Sequence, residues 1–132
     1  MTSIDRARRR LRVAADIVDR LTGTDIDLTI TVRSGHHETI PMIDIRVTGN
    51  GAQSRSRAAD ERRLTGIDAF AREFGLTLIA TEATDGEGGL WVQAEFTHER
   101  VGVEVYTLLR DPAVMAEAHD RYTPSTGTGP DR

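Results

Sequence analysis

LWVQAEFTHERVGVEVYTLL, residues 90–109, is the stretch on which the fold turns. Leu90, Val92, Ala94 and Phe96 alternate with Trp91, Gln93, Glu95 and Thr97. After His98-Glu99-Arg100 the alternation resumes with Val101, Val103 and Val105. A period of two sends successive side chains to opposite faces of a strand, so each segment has one apolar and one polar face. The spacing predicts two strands, about Leu90 to Thr97 and Val101 to Leu109, folded back on each other as a hairpin. Glu95 and Glu104 would then face each other across the polar side, with Trp91 and Tyr106 beside them.

Working outward, a further strand is expected over about Leu76 to Thr81, linked to Leu90 by the glycine-rich Asp85-Gly86-Glu87-Gly88-Gly89. Before it, Leu64, Ile67, Ala71 and Phe74 recur at helical spacing, with Phe70 at the flank of that stripe and Gly75 where a helix stops. This helix begins either near Asp60 or at a capping box, Thr65-Gly66-Ile67-Asp68. Residues 52–59 show no apolar period and read as a linker or a frayed helix start. Ile43, Ile45 and Val47 alternate in one strand, and Ile26, Leu28, Ile30 and Val32 in another. At the N-terminus, Ile4, Ala7, Leu11, Ala14, Val18 and Leu21 form a helical stripe after a Ser3 cap. Asp111-Pro112 supplies a cap and first-turn proline for a last short helix. Residues 123–132 have no apolar content and are expected to form a disordered tail.

The element order is therefore αββαβββα. Strands with one apolar face and short links imply a mainly antiparallel five-stranded sheet with helices on one face, an α+β two-layer sandwich occupying residues 1–122 as one domain. Taken alone, residues 57–122 resemble a double-stranded RNA-binding domain in element order, αβββα. The likeness stops there, because such domains carry a basic cluster where this chain reads Asp111-Pro112-Ala113.

Composition excludes several chemistries. The 132 residues include no cysteine, so disulfides, thiolate metal sites and cysteine nucleophiles are absent. All 17 basic residues are arginine, which rules out Schiff bases and a P-loop lysine. No apolar run approaches a membrane span of about 18 residues. The arginine-rich start lacks the apolar core of a signal peptide, and a cytoplasmic protein with no membrane partner is expected. Charge is uneven: residues 1–75 carry 13 arginines against 11 acids, and residues 76–132 carry 4 against 10.

Three constellations are candidates for function. The first is the polar face of the hairpin, where Trp91, Glu95, Glu104 and Tyr106 combine aromatic and acidic groups suited to a protein partner or to self-association. The second is a polyanion surface of Arg6, Arg8, Arg9, Arg10 and Arg12 in the first helix with Arg55, Arg57, Arg62 and Arg63 near the second. Arginine forks grip phosphates, and cations at a helix N-terminus oppose its dipole. A net charge of −4 weighs against a dedicated nucleic-acid domain. The third is a weak metal or ligand site made of His36 and His37, in a hairpin loop, with His98 and Glu99. Adjacent histidines in extended chain point to opposite faces, and no metalloprotease spacing is present. No cofactor motif appears, and no nucleophile elbow. The expectation is a non-catalytic interaction protein that binds a protein partner or a second copy of itself. Nucleic-acid association is the first alternative and a small-ligand or metal enzyme the second.

Overall fold

The computed structural model describes residues 2–33, 41–49, 56–84 and 86–122. The expected tail at 123–132 lies outside them, as do His36, His37 and Arg55. The hairpin forms as its alternation dictates. Strands β4 (Leu90–His98) and β5 (Val101–Leu109) pair antiparallel from Leu90 opposite Leu109 to His98 opposite Val101. Glu99 and Arg100 make the two-residue turn with φ of 48° and 71°. Two left-handed residues give the turn twist that matches the strands, a geometry usually supplied by Asn-Gly.

The remaining elements are α1 (Ser3–Arg20), β1 (Asp27–Val32), β2 (Ile43–Thr48), α2 (Arg57–Phe74), β3 (Ile79–Glu82) and α3 (Pro112–Tyr122). Their order along the chain is αββαβββα, as the periodicities imply. The sheet runs β1-β2-β5-β4-β3. It is antiparallel except at its centre, where β2 and β5 are parallel, Ile43 beside Val103 and Ile45 beside Val105. Thr107, fully buried on the inner face of β5, donates its hydroxyl to the Val47 carbonyl at 2.8 Å.

All three helices cover one face. Ile43, Ile45, Val47, Val92, Val103, Val105 and Leu109 from that face join Val13, Ile17, Ile67, Phe70 and Val114 from the helices in one continuous apolar cluster. Helix α2 packs over β2 and β5, α1 lies against β1, and α3 against β3, β4 and α2. No helix among the described residues is long and apolar enough to cross a membrane.

Local chemistry fixes the helix ends. Thr2 caps α1 by accepting from Asp5 N–H at 3.1 Å, while the Asp5 carboxylate accepts from Thr2 N–H at 3.2 Å. The cap is thus one residue before the Ser3 expected. Ser56 caps α2, accepting from Ala59 N–H at 3.1 Å, and Gly75 closes it in the left-handed region. Thr65-Gly66 is therefore mid-helix and opens nothing. Gly66 answers a packing need instead: a Cβ there would stand 2.9 Å from Val47 Cγ1, so α2 approaches β2 closely at this point. The Asp111 side chain accepts from the N–H groups of Ala113 and Val114, capping α3 as expected.

One helix face departs from the expected stripe. Val13, Ala14, Ile17 and Leu21 are the buried apolar residues of α1 and its C-cap, whereas Ile4, Leu11 and Val18 are exposed. Both sets recur at helical spacing, and only docking on β1 selects between them.

Candidate functional site

Among the described residues no helix covers the sheet's other face, and the strand register arranges its side chains in rows. Asp44 on β2, Glu104 on β5 and Glu95 on β4 are lateral neighbours. In the next row Arg46, Tyr106 and Gln93 stand side by side, and beyond them Leu108 and Trp91. Trp91 and Tyr106 are consequently diagonal neighbours, near enough for aromatic rings to touch. They meet edge to face, centroids 5.8 Å apart at 65°. Such contacts contribute about 0.5–1.5 kcal/mol beyond area burial and hold both rings in one orientation. The four residues singled out on the polar side of the hairpin, Trp91, Glu95, Glu104 and Tyr106, thus share the face away from the helices, Glu95 exposed and the other three half-buried. A depression of about 290 Å³ lies there, lined by Arg33, Asp44, Trp91, Gln93, Glu104 and Tyr106.

Its electrostatics are set by one ion pair and two further carboxylates. Arg33 donates Nε–H to Asp44 Oδ2 at 2.9 Å, and its Nη2 also reaches that oxygen. Asp44 Oδ1 is buried and accepts no hydrogen bond from the described residues. Burial raises the Glu104 pKa above the ordinary glutamate value, and the Asp44 and Glu95 carboxylates raise it further, with Arg33 opposing. Among the described residues neither Glu95 nor Glu104 has an ion-pair partner. A cation brought between them would relieve the repulsion.

A raised carboxylate pKa means that the fold favours the protonated form. Glu104 therefore contributes most to stability below the ordinary glutamate pKa, and that contribution is lost as pH rises through its elevated value. Glu104→Gln should accordingly melt higher than the wild type at pH near 7, with the difference shrinking in acid, as read by circular dichroism melts at the two pH values. Equal melting points at neutral pH would show that the Glu104 charge carries no strain.

The arginines divide. Arg8, Arg9 and Arg12 are exposed on α1 and Arg6 is half-buried, its Nη2 donating to Ser3 Oγ at 3.3 Å. Arg10 is buried, its Nη1 donating to the Arg33 carbonyl at 2.7 Å. Arg57 donates Nε–H to Asp111 Oδ2 at 3.2 Å, and Arg63 is buried against Asp60. Arg62 lines a wider groove of about 620 Å³ between α2 and the start of β1, shared with Asp25, Asp27 and Glu61. Three acids against one arginine make that groove a poor site for an anion.

His98 and Glu99 come together with a residue that sequence periodicity leaves unmarked, Asp16 of α1. His98 Nε2 stands 3.5 Å from Glu99 Oε2 and 3.9 Å from Asp16 Oδ2, and the three donor atoms lie within 4.8 Å of one another. Three protein ligands of this kind suffice for a catalytic zinc. The same contacts also serve as polar tethers between α1 and the β4–β5 turn, and the carboxylates are largely solvated. No pattern along the chain places Asp16 here, because the docking of a helix on a sheet leaves no periodic trace. No protein-family model, no curated protein and no solved structure matches this chain.

Proposed function

We propose that the protein is a non-catalytic interaction protein that binds a protein partner through the open face of the sheet. A basic side chain of the partner would seat against the Trp91 and Tyr106 rings, with its charge toward Glu104 and Glu95. One observation carries this reading: an edge-to-face aromatic pair on the side of the sheet away from the helices, beside the laterally paired carboxylates of Glu95 and Glu104. A ring face attracts a cation by about 0.5–2 kcal/mol, depending on desolvation, and a guanidinium also stacks on it. The adjoining carboxylates supply a charge-assisted hydrogen bond. An arginine donated by a loop or helix of another protein fits both demands.

Trp91 is the only tryptophan, so its fluorescence reports on the face directly. Titration with a short blocked peptide of alternating glycine and arginine should change the emission saturably. The change should be lost in Tyr106→Ala and weakened about tenfold or more in Glu104→Gln. An emission that stays flat to millimolar peptide, in a protein shown to be folded, would end the assignment. Binding should also weaken as pH falls and Glu104 takes up its proton.

A further inference from the structure

Among the described residues the large apolar side chains most open to solvent are Ile4, Leu11, Val18 and Ile79. Three of the four lie on one line of one helix. Ile4 is 67% exposed, Leu11 58% and Val18 46%. Scattered surface aliphatics need no explanation; three at seven-residue intervals on one helix form a seam. Ala7 and Ala15, both exposed, fill the spaces between them. At about 100° per residue this line is roughly 100° around the axis from the buried set of Val13, Ala14, Ile17 and Leu21. The apolar arc of α1 is thus near twice the width that docking on β1 uses, since a core-facing stripe needs about 100°.

Outside the described residues only Met1 and Ile40 are large and apolar, and residues 50–55 and 123–132 contain no such side chain. The seam itself is symmetric: Ile4, Ala7, Leu11, Ala15 and Val18 run large, small, large, small, large, with equal spacings on either side of Leu11. Turned end for end, it meets itself in register, Ile4 against Val18, Ala7 against Ala15 and Leu11 against Leu11. The alanines allow two helices to approach closely.

Charge selects the same orientation. Across α1 the first half, through Arg12, carries five arginines against Asp5 and the second Asp16 and Asp19 against Arg20; of these, Arg8 and Asp19 lie nearest the seam, one in each half. An antiparallel pair sets unlike halves side by side and opposes the helix dipoles, whereas a parallel pair stacks arginine on arginine. We infer that α1 pairs antiparallel with α1 of a second copy, about a two-fold axis passing near Leu11. A two-fold, isologous contact of this kind closes on itself and stops at the dimer. Eighteen residues span about 27 Å, so the seam falls short of the roughly 800 Å² per partner of a standard interface, and the dimer is a weak one. It leaves the open sheet face of both copies uncovered, and so stands or falls independently of the peptide-binding reading.

The absence of cysteine makes single-cysteine probes clean. Under mild oxidation Leu11→Cys should form a disulfide dimer at a rate well above that of Ile4→Cys or Val18→Cys alone, and a mixture of the last two should cross-link to each other. Sedimentation equilibrium up to about 0.5 mM should show the wild type self-associating and Leu11→Asp weakened about tenfold or more. Leu11 is exposed, so the aspartate variant should fold normally by circular dichroism. A wild type that stays monomeric throughout that range, or three single-cysteine variants that cross-link equally, would overturn the antiparallel pairing.

Discussion

Asp60→Ala should lower the free energy of unfolding by about 3–5 kcal/mol, the range seen when one partner of a buried ion pair is removed. Asp60 is fully buried in the first turn of α2. One carboxylate oxygen accepts from Arg63 Nη1 at 2.6 Å. The other accepts from the backbone N–H groups of Arg110 at 2.7 Å and Asp111 at 2.6 Å. A single side chain thus ties the start of α2 to the junction between β5 and α3. Removing it takes a carboxylate from Arg63, itself only 5% exposed, and from two backbone donors. Each such loss is more costly than the net worth of the bond made. Urea unfolding followed by circular dichroism measures the effect. The double variant Asp60→Ala/Arg63→Ala should cost less than the sum of the two single costs, because the two side chains share one interaction. A loss below about 1 kcal/mol for Asp60→Ala would mean that water replaces the carboxylate and that the pair is not a structural clamp.

Phe70→Ala should cost a similar amount, about 3–5 kcal/mol, through lost burial and the cavity left behind. Phe70 is fully buried on α2. It stacks on Phe74 with ring centroids 4.7 Å apart and meets Phe96 of β4 at 6.2 Å. Phe74 and Phe96 close the triangle at 5.5 Å, and the Arg20 guanidinium of α1 lies over the Phe74 ring at 4.2 Å. All three phenylalanines of the chain therefore form one cluster that joins α2 to the sheet and, through Arg20, to α1. Phe74 is half-buried at its margin, so Phe74→Leu should cost clearly less than Phe70→Ala in the same urea experiment. Equal costs would place the centre of the cluster elsewhere.

Both variants bear on what a sequence can and cannot reveal. Strand alternation in residues 90–109 specified the hairpin down to the pairing of Glu95 with Glu104, because period and turn length leave one register with its apolar side chains on a common face. The Asp111-Pro112 start of α3 was equally legible, since capping is a local interaction. The inner face of α2 was harder. Its apolar residues alone centre the stripe on Leu64 and Phe74 and leave Phe70 at the flank. The buried pair Asp60 and Arg63 belongs to the same face and shifts its centre toward Phe70. Charged residues are almost never fully buried unless paired, and the partner of one cannot be named from the pattern. The same blindness made Arg10 and Arg63 look like surface cations. In α1 two apolar lines compete, and the choice between them depends on β1, which is not a property of the helix. The neighbours of β5 illustrate the limit most plainly: β4 follows from a two-residue turn, whereas β2 is a partner from far along the chain.

That parallel pairing of β2 with β5 governs the order in which the chain can fold. Ile43 meets Val103 and Ile45 meets Val105, partners 60 residues apart. Closing so long a loop must precede any reward from the contacts it makes, which raises the contact order and slows folding. The β1–β2 pair gains its inner neighbour only when β5, 60 residues further along the chain, becomes available. Until then β2 carries a bare edge and an apolar face, Ile43, Ile45 and Val47, during growth of the nascent chain. Such an edge is an opening for wrong strand pairing. The central pair of the finished sheet thus cannot form before β5 emerges, and until then β2 is the strand most open to a wrong partner.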